Sequence, residues 1–359
     1  MRAEFTDAIY QIIQERGIEK EILISALEAA LTSAYRKSFG VNLNIKVKFN
    51  EQNNGIQAMA EKVVVESVKD ETKETLLQEA RRISPDLKVG DIIHQEISIG
   101  EWGRVAAQTA KQVIVQRIRE AERASIYDEY KDRVGDILNA VVVRLDQRNV
   151  IINVGKAEAV LPYREQIPGE TYRMGDRLKV YVLEVKLASK GPQITVSRTH
   201  PGLLKGLLKI EVPEIIDNIV EIKAVVREPG ERAKVAVHSE DKKVDPLGAC
   251  VGVRGSRIQT VTRELCGEKI DIVAWSEDPP IYIANALSPA RIFTITINEA
   301  ERSTLVIVPN DNLSLAIGRR GQNVRLAARL TNWRINIKSD TQLEKEEKEA
   351  TLSSGDQTS

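Results

Sequence analysis

The sequence predicts a multidomain α+β chain: an α/β N-terminal domain with a long connecting helix, a five-stranded β-barrel, and two tandem units of order α-β-β-α-α-β. Three observations carry this expectation. Residues 104–132 hold neither glycine nor proline and are rich in helix formers. Residues 134–199 break into about five short β runs parted by turn residues, the pattern of a small barrel. Beyond residue 200, "VGVRGSRIQTVTREL" (251–265) aligns with "IGRRGQNVRLAARLT" (317–331) at an offset of 66 residues. Gly252 then falls on Gly318, Gly255 on Gly321, Val251 on Ile317 and Ile258 on Val324, so one α/β unit is present twice.

Along the chain, residues 3–16 and 19–38 read as amphipathic helices broken at Gly17. Ala8, Ile9, Ile12 and Ile13 recur at helical spacing, as do Ile22, Leu23, Ala26, Leu27, Ala30 and Leu31. "LNIKVKF" alternates at period two, predicting a strand over 43–49; "NNG" is a turn, and "KVVVESV" a second strand. The helix over 104–132 spans roughly 40 Å at about 1.5 Å per residue, a rod leaving the head. In the barrel block, "GDILNAVVVRLDQRNVIINVGKAEAVLP" and "YRMGDRLKVYVLEVKLASKGPQITVSR" supply the strands. Each repeat opens with a hairpin ("IVEIKAVVREPGERAKVAVH", "RIFTITINEAERSTLVIVP"). A short helix, a loop and a second helix follow, and a strand closes it ("KIDIVAW", "WRINIK"). The expected boundaries are 1–133 for the head, 134–199 for the barrel, 200–277 and 278–340 for the repeats, and 341–359 for a disordered acidic tail.

Composition excludes several function classes. With 42% hydrophobic and 29% charged residues the chain reads as soluble, and no apolar run approaches the ~18 residues of a membrane span. The N-terminus lacks a signal peptide's apolar stretch, and two cysteines, Cys250 and Cys266, suit a reducing compartment, so a cytoplasmic protein is expected. His94, His200 and His238 are scattered and pair with no cysteine at zinc spacing, so neither metal nor cofactor is expected. The head has no glycine-rich phosphate loop and no nucleophile–base signature, so no catalysis is expected; His94 reads as a strand residue. Net charge is zero, but residues 134–199 carry 10 basic against 7 acidic side chains and 200–340 carry 20 against 18. Clustering, not the sum, decides whether phosphate is bound.

The Gly-x-x-Gly loops are where charge clusters. In each copy a short helix ends at the first glycine and a second begins at the last. Glycine permits unusual backbone angles and close approach of another backbone, and the free N–H groups of a helix start favour anions. Arg254, Arg257, Arg319, Arg320 and Arg325 lie there as charge-assisted donors. One such loop is read equally well as a tight turn beside solvated arginines; two in identical context argue for a shared binding task. Neither loop has P-loop spacing.

The unit is identified as a KH domain of the bacterial, type II arrangement, whose loop clamps about four nucleotides of single-stranded nucleic acid. The expected RNA contacts are Gly252, Val253, Arg254, Gly255, Ser256, Arg257 and Ile258 in the first copy. In the second they are Gly318, Arg319, Arg320, Gly321, Gln322, Asn323 and Arg325. Core packing explains Ile258 and Val324 as well, and Trp275 and Trp333 read as structural. The barrel block resembles the S1 domain, an OB-fold. It has only Tyr163, Tyr172 and Tyr181 as aromatics, so a weak, mainly electrostatic site is expected on Arg144, Arg148, Lys156 and Arg164.

The order of these parts resembles the NusA family of bacterial transcription factors, on stretches such as "AAQTAKQVIVQRIREAER", "EAVLP", "IEVPEI", "DPLGACVGVRG" and "AIGRRGQNVRLAARL" over about residues 1–340. The resemblance implies binding to RNA polymerase core through the head and to nascent single-stranded RNA through the barrel and KH domains. It further implies effects on pausing, intrinsic termination and antitermination, with other antitermination factors as partners. No membrane is involved, and a monomer is expected. Arg104 and Lys111 are candidate polymerase contacts beside the plainer reading of solvated helix faces. The alternative is a general KH/S1 protein of RNA decay or ribosome assembly.

Overall fold

The computed structural model describes residues 20–39, 44–50, 55–70, 73–97, 103–188 and 191–345. The expected helix over 3–16 lies outside them. The chain divides into two compact units, residues 1–128 with 189–192, and residues 129–188 with 193–359.

In the first unit, α1 (Lys20–Phe39) precedes a four-stranded sheet. Leu23, Leu27 and Leu31 recur every four residues and are buried, whereas Ile22 is 48% exposed and lies off the apolar stripe. β1 (Asn44–Asn50) pairs antiparallel with β2 (Gly55–Val65), which also pairs antiparallel with β4 (Ile92–Ile97). The three residues of β3 (Glu74–Leu76) run parallel to the end of β2, and α2 (Leu77–Ile83) follows at once. Val64, Ala80 and Ile93 form a small core there. His94 is an exposed residue of β4. α3 (Gly103–Lys131) is the expected long helix, uninterrupted for 29 residues.

The second unit begins in the last turn of α3. Tyr130, 1% exposed, donates its hydroxyl to the Val154 carbonyl at 2.9 Å. β5 (Ile137–Asp146), β6 (Asn149–Asn153), β7 (Glu158–Leu161), β8 (Arg177–Ala188) and β9 (Gly191–Ser197) close into a barrel in the order β5-β6-β7-β9-β8. Alternation puts Leu138, Ala140, Val142, Val180, Val182, Ile194 and Val196 inside.

The first repeat comprises α4 (Pro201–Glu211), α5 (Pro213–Ile216), β10 (Glu221–Glu228), β11 (Arg232–His238), α6 (Pro246–Val251), α7 (Ser256–Glu264) and β12 (Lys269–Ala274). The second comprises α8 (Pro279–Leu287), β13 (Thr294–Asn298), β14 (Ser303–Val308), α9 (Leu313–Ile317), α10 (Gln322–Thr331) and β15 (Arg334–Ser339). Each builds the same three-stranded sheet: an antiparallel hairpin whose second strand pairs in parallel with the closing strand. Proline at the first turn of α4, α6 and α8 starts those helices without wasting an amide donor.

Apolar cores cross the module boundaries. Ile167 of the barrel block is buried with Leu203, Leu207, Val235 and Val261 of the first repeat. Ala236 and Val273 of the first repeat are buried with Tyr282, Ile283, Leu287 and Ala327 of the second. The β10–β11 turn is squeezed from the barrel side: a Cβ on Gly230 (φ 79°) would stand 2.8 Å from Ile167 Cγ2 and 3.1 Å from the Pro168 carbonyl. Charged groups are sealed into the same boundary. Arg198, 1% exposed, reaches Glu170 at 2.6 Å and Glu264 at 3.2 Å, and Arg227 forms a fully buried fork on Glu268 at 2.7 and 2.8 Å. Buried charges are tolerated only when paired and hydrogen-bonded in this way.

The expectation that everything from residue 341 is disordered is corrected for its first residues. Residues 340–345 are helical, because Ser339 and Gln342 form a reciprocal cap: Gln342 N donates to Ser339 Oγ at 3.2 Å and Ser339 N to Gln342 Oε1 at 3.1 Å. Residues 346–359 lie outside the described residues.

Candidate nucleic-acid interface

Both loops share one backbone geometry. In the first, Gly252 has φ 74°, ψ 173°, Arg254 has φ 52°, ψ 28°, and Gly255 has φ 77°, ψ 16°. Gly318 (75°, 172°), Arg320 (53°, 31°) and Gly321 (72°, 16°) repeat these values within a few degrees. The last glycine donates to the first across each loop, Gly255 N to Gly252 O at 3.0 Å and Gly321 N to Gly318 O at 3.1 Å. A non-glycine residue held at positive φ marks a backbone that its surroundings dictate.

The two glycines of a loop are required for different reasons. A Cβ on Gly318 would lie 2.7 Å from Asn323 Cβ and 2.8 Å from Asn323 N, and one on Gly252 would lie 2.8 Å from Arg257 Cγ. The first glycine therefore admits the helix that follows. At Gly321 nothing stands within 4 Å of the added atom, and at Gly255 only side chains at 3.6 Å and beyond. The second glycine leaves a backbone face open. Because glycine is also the N-cap of α7 and α10, no side chain satisfies the first-turn amides from that position.

Around that face Val253 (82% exposed), Arg254, Ser256, Arg319 and Arg320 stand exposed. Among the described residues none of these three arginines is paired with a carboxylate, so their charge is available to an anion.

Four of the polar contacts expected at the loops make hydrogen bonds within the protein. Asn323 is 3% exposed, and its Nδ2 donates to the Leu287 and Ala316 carbonyls, each at 3.1 Å, and to Leu315 O at 3.4 Å. Its Oδ1 is the one buried side-chain polar atom without a partner among the described residues. The corresponding Arg257 donates to Ala249 O at 2.6 Å and to Glu214 at 2.9 and 3.1 Å. Both residues tie the helix after the loop back to the helix before it. Gln322 and Arg325 turn to the first repeat, onto Glu228 and Glu231. Ile258 packs at the edge of the first core and Val324 at the edge of the second. Trp275 lies edge-on to Tyr282 and His238, and Trp333 packs against the second core.

In the barrel, Arg144 is paired with Glu158 at 3.0 Å and Lys156 with Glu129 at 3.1 Å, both on the exposed surface. Arg148 lies over the ring of Tyr163, 5.8 Å from its centroid, with Tyr163 63% exposed and Arg164 exposed beside it. Tyr172 donates to Glu170 at 2.6 Å, and Tyr181 stacks on His200 at 4.4 Å; both are structural. In the first unit, Lys111 is exposed on α3, while for Arg104 only the backbone, in the first turn of that helix, is described. Both thiols are held protonated at neutral pH. Burial pushes Cys250 up to about 11, and burial with the Glu170 carboxylate does the same for Cys266. Among the described residues no group of three His, Cys, Asp or Glu could hold a metal, and no helix is long and apolar enough to cross a membrane.

A five-stranded barrel followed by two helix–Gly-x-x-Gly–helix units places the chain in the S1–KH class of RNA-binding proteins. Domain models agree: an S1 RNA-binding domain matches residues 131–197, and NusA-like first and second KH domains match 198–275 and 279–345. The NusA N-terminal domain matches residues 4–124, and the chain belongs to the NusA family. The "Transcription termination/antitermination protein NusA" of Halalkalibacterium halodurans is 53% identical over 342 residues, covering 95% of this chain and 90% of the relative. That of Bacillus subtilis is 52% identical over 341 residues, covering 95% and 92%. That of Thermus thermophilus is 44% identical over 348 residues, covering 94% and 90%.

Proposed function

We propose that the chain is a cytoplasmic transcription elongation factor that binds RNA polymerase through residues 1–133 and emerging single-stranded RNA through residues 134–340. It prolongs hairpin-dependent pauses and so modulates intrinsic termination and antitermination, acting by binding and not by catalysis. The observation that carries the RNA half is the pair of loops with one backbone geometry, presenting Arg254 in the first and Arg319 and Arg320 in the second, unpaired with any carboxylate among the described residues, on an open glycine face. Arg254, Arg319 and Arg320 meet phosphate, and the grooves beside the loops take unstacked bases. The barrel adds one stacking position at Tyr163, flanked by Arg148 and Arg164. The polymerase half rests on family membership, with the exposed face of α3 around Lys111 as a contact.

The test is the lifetime of a hairpin-stabilised pause by purified bacterial RNA polymerase, with and without the protein. Lengthening that is lost on deleting residues 1–133 supports the proposal. An unchanged lifetime with RNA binding intact moves the chain to general RNA metabolism.

A further inference from the structure

The hairpin of the first KH unit reaches the loop of the second. Glu228, the last residue of β10, accepts Arg325 Nε at 2.6 Å and Arg325 Nη2 at 3.1 Å. Gln322 Nε2 donates to Glu228 at 2.9 Å and to Glu231 at 2.8 Å. The Glu228 side chain is 17% exposed and that of Arg325 45%, so the contact lies at the solvent-facing edge of the junction where α10 packs on β10 and β11. The remaining arm of the same guanidinium, Nη1, donates to the Arg320 carbonyl at 3.3 Å. Arg320 is the loop residue held at φ 53°. A carboxylate of one unit, a guanidinium of the next and a strained loop peptide thus form one continuous chain.

We propose that Glu228 is a positioning residue for RNA binding by the second KH unit: through Arg325 it fixes the Arg320 carbonyl and so holds the Gly318–Gly321 loop ready for RNA. The inference rests on the reading that this loop holds RNA. A non-glycine residue in the left-handed region persists only where its surroundings over-determine it, and a loop already ordered loses less entropy on binding. The hydrogen bond from Arg325 holds the Glu228 carboxyl below its ordinary range, so the latch is charged at neutral pH. In the first repeat the corresponding position is the uncharged Gln259, and that loop is braced by Arg257 on Glu214. The latch therefore belongs to the second loop, and a residue of the first KH unit helps to shape the second unit's binding site.

Binding of a short single-stranded RNA to the full chain, followed by anisotropy across a salt series, separates this role from direct phosphate contact. E228Q is expected to weaken binding roughly three- to tenfold at every salt concentration, with the slope of log affinity against log salt unchanged. E228D, which keeps the charge on a shorter arm, is expected to recover part of the loss. Unchanged affinity in E228Q overturns the proposal. So does tighter binding with a steeper slope, which would make Glu228 a competitor of phosphate for Arg325. Circular dichroism establishes that each variant is folded; should E228Q not fold, E228D carries the same test, with wild-type affinity overturning the proposal. R319Q serves as the control for the loop itself: if its slope is not flattened, it is the placement of the RNA site that fails, not the latch.

Discussion

Alanine at the first and second glycine of one loop should separate folding from binding. In Gly318→Ala the new methyl meets Asn323 Cβ at 2.7 Å, Asn323 N at 2.8 Å and Asn323 Cα at 3.3 Å, two of them backbone atoms that cannot swing aside. Its φ of 75° with ψ of 172° is a conformation essentially confined to glycine and costs about 1–3 kcal/mol. Overpacking adds about 1–3 kcal/mol, so a destabilisation of roughly 2–6 kcal/mol is expected. In Gly321→Ala nothing lies within 4 Å. The left-handed conformation costs about 1–2 kcal/mol, from which about 0.4–1 kcal/mol returns through the stiffer unfolded chain. Its net cost is therefore about 1 kcal/mol, yet its methyl stands on the face where RNA is proposed to approach. Gly252→Ala should fall between, because the nearest atoms belong to the Arg257 side chain, whose outer part can move. Urea unfolding followed by circular dichroism ranks the stabilities, and RNA anisotropy measures binding. The reasoning is refuted if Gly318→Ala stays within about 1 kcal/mol of wild type, or if Gly321→Ala binds RNA normally.

Other perturbations test other parts. Arg254, Arg319 and Arg320 changed together to Asp should leave the fold intact, weaken RNA binding and flatten its salt slope by about 0.7 for each phosphate no longer neutralised; anisotropy at several salt concentrations measures both. Tyr163→Ala should cost about 1–3 kcal/mol of RNA affinity with little change in slope, whereas Tyr163→Phe should bind like wild type. Arg198→Ala strands Glu170 in a buried site and should destabilise the second unit by about 3–5 kcal/mol, read as a lowered unfolding midpoint. The Glu214 backbone N–H, together with Arg257, holds the Glu214 carboxyl below its ordinary pKa, and Arg325 does the same for Glu228, so these contacts stabilise the fold above the usual carboxylate range. That contribution is lost as pH falls through the lowered values, and a pH series of thermal midpoints should show E228Q losing less than wild type on acidification.

Much of the fold was legible because it rests on periodicity. The unbroken run over 104–132, the alternating barrel strands and the 66-residue repeat are local patterns, and each stands where the pattern puts it. β3 and α2 were not legible, since three and seven residues are too short for a period to declare itself. The cap of the final helical turn was written in the sequence as Ser339-Asp340-Thr341-Gln342, but it was outweighed by the polar composition around it. In the binding site, the glycines and the arginine cluster were readable. Which arginines remain free was not. Arg257 is met by Glu214 and Arg325 by Glu228, partners 43 and 97 positions away, and no window of sequence joins them. Asn323 looked like a polar side chain at a helix mouth. Only packing shows it turned inward to the carbonyls of Leu287 and Ala316.

The apolar cores that cross the module boundaries bear on how such a chain can change over generations. Ala236 and Val273 need the second repeat to stay dry, the Gly230 turn has barrel atoms against it, and Arg325 of the second repeat reaches Glu228 of the same hairpin. Two copies that began as one have specialised at their seam, with Arg325 facing an acid where the other copy carries Gln259. Exchanging the copies, or adding a third between them, would set mismatched faces together. The two copies share one core, so a cut between them inside residues 200–340 exposes apolar side chains that each needs the other to cover.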